Sequence, residues 1–523
     1  MTRKSNFLLL STLLGGLLFS YIFWEEWLAL NQLIYSIFII IITLFNSEVA
    51  KSKKFKLYAL AHLLSAVLVV INNSVLTSVS YCISLLFFVG FAHYQAVCTI
   101  YVAALATVLQ FVTVPASLIK RFSELEIGNF KLNPLFKPIK YIILPFFIIF
   151  VFTSIYSGAN EIFRHYLETT FTGIYNLFNN IFSFIFRDLS FPRFMHFCFG
   201  LFLTAGLIIT FYNKSIEKLE ASCNEKLLRI RRSQKPRSIW YEVAHTFTSQ
   251  LITKKMALKT EYIIGLISFV SLNLLLLFVN LIDISTLWLG YKPKGNFSAD
   301  LHDGTNALIF SIILAMAIIL YFFRGNLNFY HKSKTLKNLA IAWIVQNFIL
   351  IISVFIRDGY YIEFYGLTNK RIGVLVFAIL CIIGLATVYI KVVKEKTLFY
   401  LFKVNGNIWF VLLLAFSLVN WDVFIAEYNL SNSERVVVDA DYLLSLSDKT
   451  LPILDQNRAK LQYDSSKDLP EREIAKPQGA QFYEELLNER IGYFKERYQN
   501  VSWLSWNLQD WNTAKYFEVN KYR

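Results

Sequence analysis

The feature that most constrains this chain is a series of apolar runs, each about 17 to 22 residues long and almost free of charge. Runs of that length match the hydrocarbon thickness of a bilayer when wound as helices. The clearest cover 7–23, 28–45, 139–158, 192–212, 262–282, 305–323, 339–356, 373–391 and 405–420. A further stretch, 57–117, is long enough for two tilted helices or three short ones, with breaks at Asn72-Asn73-Ser74 and His93-Tyr94-Gln95. The composition agrees: 56% of residues are hydrophobic and only 17% charged, where soluble chains carry about 25% charged residues. A soluble core could not absorb so much Phe, Ile and Leu without leaving wide apolar patches exposed.

Charge orients the spans. The net charge is +15, yet residues 431–523 hold 15 acidic and 13 basic side chains, so the excess of Lys and Arg sits in the membrane part. There it reads as the positive-inside signal and not as a nucleic-acid surface. Basic clusters at 51–56, 120–140, 213–260, 332–337 and 391–396 should face the cytoplasm. Passing from the first cluster to the second takes an even number of crossings, which favours two spans in 57–117. The expected fold is therefore an all-α polytopic transmembrane helical bundle of about eleven spans (twelve, with the N-terminus outside, if 57–117 holds three). A small, mainly helical extracytoplasmic C-terminal tail follows, and the N-terminus is cytoplasmic. Met1-Thr-Arg-Lys followed by an apolar run resembles a signal peptide, but no small-x-small cleavage site follows, so it reads as a retained span.

Five segments organise the chain: N-terminal membrane helices over 1–118, a basic loop with two spans and an interfacial helix over 119–212, a basic cytoplasmic loop over 213–260, C-terminal membrane helices over 261–420, and the tail over 421–523. Within 161–187, Phe163, Leu167, Phe171, Ile174, Leu177, Phe178 and Ile181 recur at near-helical spacing among Asn and Thr. This pattern fits an amphipathic helix in the outer interface. In 213–260, Ile216, Leu219, Cys223, Leu227 and Ile230 are expected on one helical face, and the cations should attract anionic lipid, about 1 kcal/mol per charge. In the tail, Phe482 to Tyr498 reads as a charged helix and Asp464 to Pro477 as a linker, with too few apolar anchors for a robust independent core.

Polar residues inside spans are costly and therefore informative. Asn273, Gln346 and Asn347 fall near mid-span, where they line a hydrophilic path or, more plainly, bond helix to helix. A second group gathers at the expected outer face: Asp283, His302, Asp303, Asp358, Tyr365, Arg371, Asn420 and Asp422. A histidine beside carboxylates is suited to moving a proton or binding a cation, while an ordinary interface layer of caps and ion pairs explains the same residues. His62, His93, His165, His196, His245 and His331 are isolated and read as packing. No P-loop, G-x-G-x-x-G, G-x-S-x-G or H-E-x-x-H occurs, and the five cysteines never approach C-x-x-C. No catalytic residue, metal site or cofactor is therefore assigned.

Several stretches resemble a known family. They are Glu261 to Asn273, Leu287, His302-Asp-Gly304, Tyr365-Gly-Leu-Thr368 with Arg371, Asn420-Trp-Asp422, Ile425-Ala-Glu-Tyr-Asn429, Asp441 to Leu446, Leu451-Pro-Ile-Leu454 and Trp503-Leu-Ser-Trp-Asn507. Together they are similar to a bacterial polytopic membrane family, domain of unknown function four-one-seven-three, related to four-one-five-three. The resemblance extends over 139–523, strongest from 261, with Asn420-Trp-Asp422 departing from the family's Asn-Pro-Asp. It implies a bacterial cytoplasmic-membrane protein and supplies no catalytic residue. Three functions are then expected, in order: a non-enzymatic sensor, scaffold or assembly factor with an unidentified protein partner; a small-solute or proton-coupled transporter; and a membrane-embedded enzyme acting on lipid or lipid-linked glycan.

Overall fold

The computed structural model describes residues 3–45, 52–123, 126–127, 130–131, 139–185, 190–209, 214–221, 223–228, 258–288, 297–436, 438–461 and 479–519. It is an all-α membrane bundle. Among the described residues, seven helices are long and apolar enough to cross a membrane, and four shorter ones are apolar, Phe7–Ile22, Leu30–Leu44, Ile100–Pro115 and Asn306–Phe322. Two compact units divide the chain. The first holds Met1–Val97, Tyr101–Glu217 and Val501–Asn507, the second Cys98–Ile100, Lys218–Asn500 and Leu508–Arg523.

The first unit begins with α1 (Arg3–Ile22) and α2 (Leu30–Leu44). Their connection is closed by the buried Asn31, whose amide donates to Ile22 O at 3.1 Å and Trp27 O at 2.9 Å while its Oδ1 accepts the N–H of Ala29 and Gln32. The expected pair of helices over 57–117 gives way to three: α3 (Lys53–Asn72), α4 (Val75–His93) and α5 (Ile100–Ser123). The reason is local. Asn73 turns left-handed at φ 40°, which an asparagine tolerates, and Ser74 with Thr77 forms a capping box that restarts the helix at once. A short hairpin pairs Glu126–Ile127 with Phe130–Lys131.

Three further helices follow, α6 (Ile139–Ala159), α7 (Glu161–Ile185) and α8 (Phe191–Ile208). α8 runs antiparallel to α1: Gly15 lies against Thr204, Gly16 against Leu201, and Gly200 against Phe19. Small residues at such contacts let the helices approach closely, which is how helices associate when lipid removes the hydrophobic drive. Residues 501–507 also belong to this unit. Ser502 and Ser505 each donate to the Glu26 carboxylate at 2.5 Å, Ser505 Oγ accepts the Trp27 N–H at 2.8 Å, and Leu504 is buried with Ile22 and Tyr35.

α9 (Lys214–Ala221) leads into the second unit, which takes up the chain at Lys218. The continuous helical face expected through Leu227 stops at Ala221, because residues 225–228 run extended beside 395–397. Leu227 N–H donates to Glu395 O at 2.8 Å and Thr397 N–H to Glu225 O at 3.0 Å. Glu225 pairs with Lys403 at 2.8 Å and Lys396 at 3.6 Å, which holds its carboxyl below the usual carboxylate range. The remainder of the basic loop lies outside the described residues. The membrane helices of this unit are α10 (Leu258–Asp283, continued by a wider π turn Ile284–Trp288), α11 (Phe297–Phe322), α12 (Ser333–Tyr365), α13 (Asn369–Val393) and α14 (Leu398–Phe416). Phe269, Ile319, Phe323, Trp343, Ile351 and Leu385 form the centre of their core.

The tail carries α15 (Trp421–Ser431), α16 (Ala440–Ser445), α17 (Leu451–Gln456), α18 (Ala480–Gln499) and α19 (Leu508–Tyr516). The charged helix expected over 482–498 is α18, while the linker expected over 464–477 lies outside the described residues. Its core is firmer than the sequence implies. Ile425, Leu443, Leu451, Leu454, Leu487 and Phe494 are fully enclosed, and Leu367 and Ile372 from the membrane helices complete the cluster. Arg490 donates to the carbonyls of Leu444 and Leu446 and pairs with Asp448 at 2.8 Å, and Arg497 meets Asp448 at 3.1 Å.

α4 and α5 approach closely at Gly90. A Cβ on Gly90 would lie 2.2 Å from the backbone oxygen of Ala103, whereas one on Gly173 of α7 meets nothing within 4 Å. Gly90→Ala should therefore lower stability by about 1–3 kcal/mol through overpacking. Gly173→Ala should raise helix stability by about 0.5–1 kcal/mol. Thermal unfolding of the purified variants, followed by a thiol- or tryptophan-based probe, checks both signs; equal melting points would contradict the close approach.

Candidate functional site

Two polar arrangements contain most of the candidate residues, and both belong to the second unit. The first lies along α10 and α12. Asn273 and Asn280 stand seven residues apart, as do Leu339, Gln346, Ser353 and Tyr360. Gln346 Nε2 donates to Asn273 Oδ1 at 2.8 Å, Asn273 Nδ2 to Leu339 O at 3.1 Å, and Asn280 Nδ2 to Gln346 O at 3.1 Å. Further along, Trp288 Nε1 donates to Ser353 Oγ at 3.1 Å and Tyr360 OH to Leu287 O at 3.4 Å. The sequence offsets stay near 66 or one heptad more, so the two helices run in the same direction in a heptad register, with α11 between them in the chain. Isolated polar residues in such a seam fix register. Asp283 closes the row, paired with Arg357 at 2.5 Å. Asn347 lies off this seam and donates to Trp343 O of its own helix at 2.7 Å.

The second arrangement is the turn between α12 and α13. Gly366 follows the last residue of α12 with φ +76°, a conformation that L side chains rarely adopt. A Cβ there would also lie 2.5 Å from Asn429 Oδ1. Asn429, reaching from α15, holds both backbone groups of the next residue: its Oδ1 accepts Leu367 N–H at 2.6 Å and its Nδ2 donates to Leu367 O at 2.9 Å. Thr368 caps α13 by accepting Arg371 N–H at 3.4 Å. The Arg371 guanidinium turns back onto the end of α12, donating to Tyr365 O at 2.8 Å and to Gly366 O, and stacks 4.1 Å from the centre of the Tyr361 ring. A desolvated cation on an aromatic face contributes about 2 kcal/mol.

Asp358 lies one helical turn before Tyr361, 5% exposed, and its Oδ2 has no hydrogen-bond partner among the described residues. Asp422 is spent on the tail: Oδ1 accepts from Asn369 Nδ2 at 3.4 Å and Oδ2 from Ser447 N–H at 3.3 Å. Asn369 N–H donates in turn to Tyr442 OH at 2.9 Å, and burial raises that phenol above its ordinary value. Burial likewise pulls the Lys449 ammonium down, against the opposing charges of Asp510 and Asp422. Asn420 caps α15 through Val423 N–H at 3.4 Å. His302 and Asp303 fall within α11, but their side chains lie outside the described residues.

The arrangement thus brings together Tyr365, Arg371 and, through Asn369, Asp422, and separately joins Asp283 to Arg357 and Asn273 to Gln346. Sequence reasoning missed Asn429, although an asparagine inside Ile425–Leu430 and a glycine immediately after a long helix were both signals. It also placed Lys391 among the loop cations. That lysine is 1% exposed and donates to Phe323 O at 2.7 Å, closing the end of α11. His62, read as isolated, bonds through Nδ1 to Ser84 Oγ at 2.9 Å, and Ser84 Oγ lies 2.5 Å from Ser65 Oγ. Among the described residues no group of three or more His, Cys, Asp or Glu side chains is placed to hold a metal.

A family model described as a domain of unknown function, DUF4153, matches residues 58–457, well over half of the chain. The chain belongs to the DUF4153 family. The match begins inside the N-terminal third, earlier than the resemblance over 139–523 led us to expect, and stops near the end of α17. The DUF4153 segment therefore includes the heptad seam, the 365–371 turn and Asn429, and excludes α18 and α19. No curated protein and no solved structure matches the chain.

The seam is open to direct measurement. In a double-mutant cycle of Asn273→Ala and Gln346→Ala, the coupling energy should be about 0.6 kcal/mol and no more than about 2 kcal/mol. Unfolding of the reconstituted protein by force or by denaturing detergent reads it out. Strict additivity would mean that the two amides do not bond.

Proposed function

We propose that this DUF4153 protein is a non-enzymatic membrane protein, a sensor or scaffold whose C-terminal helical domain moves with the α12–α13 hairpin. The observation that carries the reading is the pair of bonds from Asn429 to both backbone groups of Leu367, beside a Gly366 conformation that tolerates little else. A residue held at both its N–H and its C=O transmits displacement, because neither bond breaks without leaving a buried polar group unpaired. The same turn is tied to α12 by Arg371 and to the tail by Asn369 and Tyr442. The proposed setting is the bacterial cytoplasmic membrane, with the tail on the extracytoplasmic side. The excess of Lys and Arg in the loops away from the tail supports that orientation.

The transporter reading has less support. Asn273 and Gln346 spend their amides on each other and on Leu339, and Asn280 on Gln346 O. The enzyme reading needs an acid and a base converging in a cleft, whereas Asp422 accepts from Asn369 and Ser447 and Asp283 from Arg357.

A photo-crosslinking residue in place of Tyr493, which is 65% exposed on α18, tests the coupling in living cells. The expected outcome is one reproducible partner captured by the otherwise intact protein and lost on Asn429→Ala at unchanged expression. Recovery of the protein alone from both forms would contradict the proposal.

A further inference from the structure

α7 is a long helix of the first unit whose apolar face is open from Phe163 to Ile181. Phe163, Phe171, Ile174, Phe178 and Ile181 are between 37% and 59% exposed and share one side. Its opposite side carries Glu161, Glu168, Thr169, Thr172, Asn176 and Asn179. At 25 residues the helix is roughly 37 Å long.

What covers that face is indicated at both ends. One residue separates α7 from α6, whose last turns expose Ile155 and Tyr156, and Tyr156 packs edge-on to Phe163 with ring centres 6.3 Å apart. At the other end Phe178 stacks on Phe191 at 5.6 Å, where α8 begins and exposes Met195 and Phe199. The open face is therefore continuous with the apolar surfaces of two flanking membrane helices, and its occupant is the acyl region of the same leaflet.

The polar side then decides which lipid. Interfacial helices that bind through charge carry Lys and Arg along the polar face. α7 has no Lys, and its single Arg164 is occupied by its own helix, 3.7 Å from Glu161 and 4.0 Å from Glu168. Thr169 and Thr172 bond back to His165 O and Glu168 O. With two carboxylates and one paired cation, attraction to anionic headgroups contributes nothing, and the bulky aromatic and branched side chains supply the binding. Such a face enters a leaflet where chain packing leaves gaps. We propose that α7 is a lipid-packing element: its apolar side occupies gaps among loosely packed acyl chains, and anionic lipid is not required. This stands apart from the coupling proposal, since it needs only that α6 and α8 lie in a bilayer.

The test uses the full-length protein with its native cysteines replaced, reconstituted into vesicles. Spin labels are attached through Ile174→Cys on the apolar side and, separately, through Thr172→Cys or Asn176→Cys on the polar side. Accessibility to oxygen and to a water-soluble nickel chelate is read in dioleoyl phosphatidylcholine, in the same lipid with added phosphatidylserine, and in tightly packed saturated phosphatidylcholine with cholesterol. We expect the label at position 174 to be oxygen-accessible and chelate-shielded in dioleoyl phosphatidylcholine alone. Phosphatidylserine should change it less than twofold, and the packed membrane should move it toward the chelate, while the polar-side labels stay chelate-accessible throughout. Chelate access on both sides in every lipid would overturn the proposal, as would shielding of both sides, which marks a crossing helix or a protein cover. Shielding at position 174 that depends on phosphatidylserine or ignores chain packing would overturn it equally.

Discussion

A helix that ends in or near hydrocarbon must have its last carbonyls satisfied by the protein, because no water is there to do it. Buried polar side chains in this chain repeatedly go to that task. Arg371 closes α12 at Tyr365 and Gly366, and Lys391 closes α11 at Phe323 together with Asn328, which donates to the same oxygen at 3.0 Å. Asn31 does the same for α1 at Ile22. Each group would be expensive in lipid if left alone, and each is repaid at a helix end or turn where backbone oxygens are otherwise bare. Much of the polarity that draws attention in the sequence is thus consumed by helix termination.

The tail is built on that closure. With Arg371 holding the end of α12, Leu367 and Ile372 project into the tail core beside Ile425 and Leu430. A domain of this size gains from two anchors it does not itself supply, since small cores bury too little apolar surface to be secure. Asn429 makes the junction specific, because its amide matches both backbone groups of one residue, Leu367. A tail attached in this way is suited to reporting on the hairpin beneath it, which is the basis of the sensor or scaffold reading.

The membrane helices were legible because hydrophobic length is a local property: 262–282, 339–356 and 373–391 all fall inside observed helices. The helical segment at 482–498 was legible for the same reason. What was not legible depended on partners far along the chain. Lys391 looks like a loop cation until Phe323 is beside it, and His62 looks solitary until Ser84 is placed 2.9 Å away. Counting charged loops pointed to two helices in 57–117, and the capping geometry of Asn73 and Ser74 outweighs that count. Among the candidate site residues, Asn273, Gln346 and Asn347 read as helix-to-helix contacts or path-lining groups; Gln346 bonds to Asn273, while Asn347 turns to its own helix. The heptad spacing was already visible in the numbers 273, 280, 339 and 346.

The most direct test of the account is whether α14 separates two faces of a bilayer. With the five native cysteines replaced, Ser431→Cys beyond α14 and Lys394→Cys before it, both at exposed positions, are treated in intact cells with a membrane-impermeant thiol reagent. The account predicts labelling at position 431 in intact cells and at position 394 only after permeabilisation. Labelling of both positions from the same side would contradict a membrane-crossing α14 and the bundle built around it.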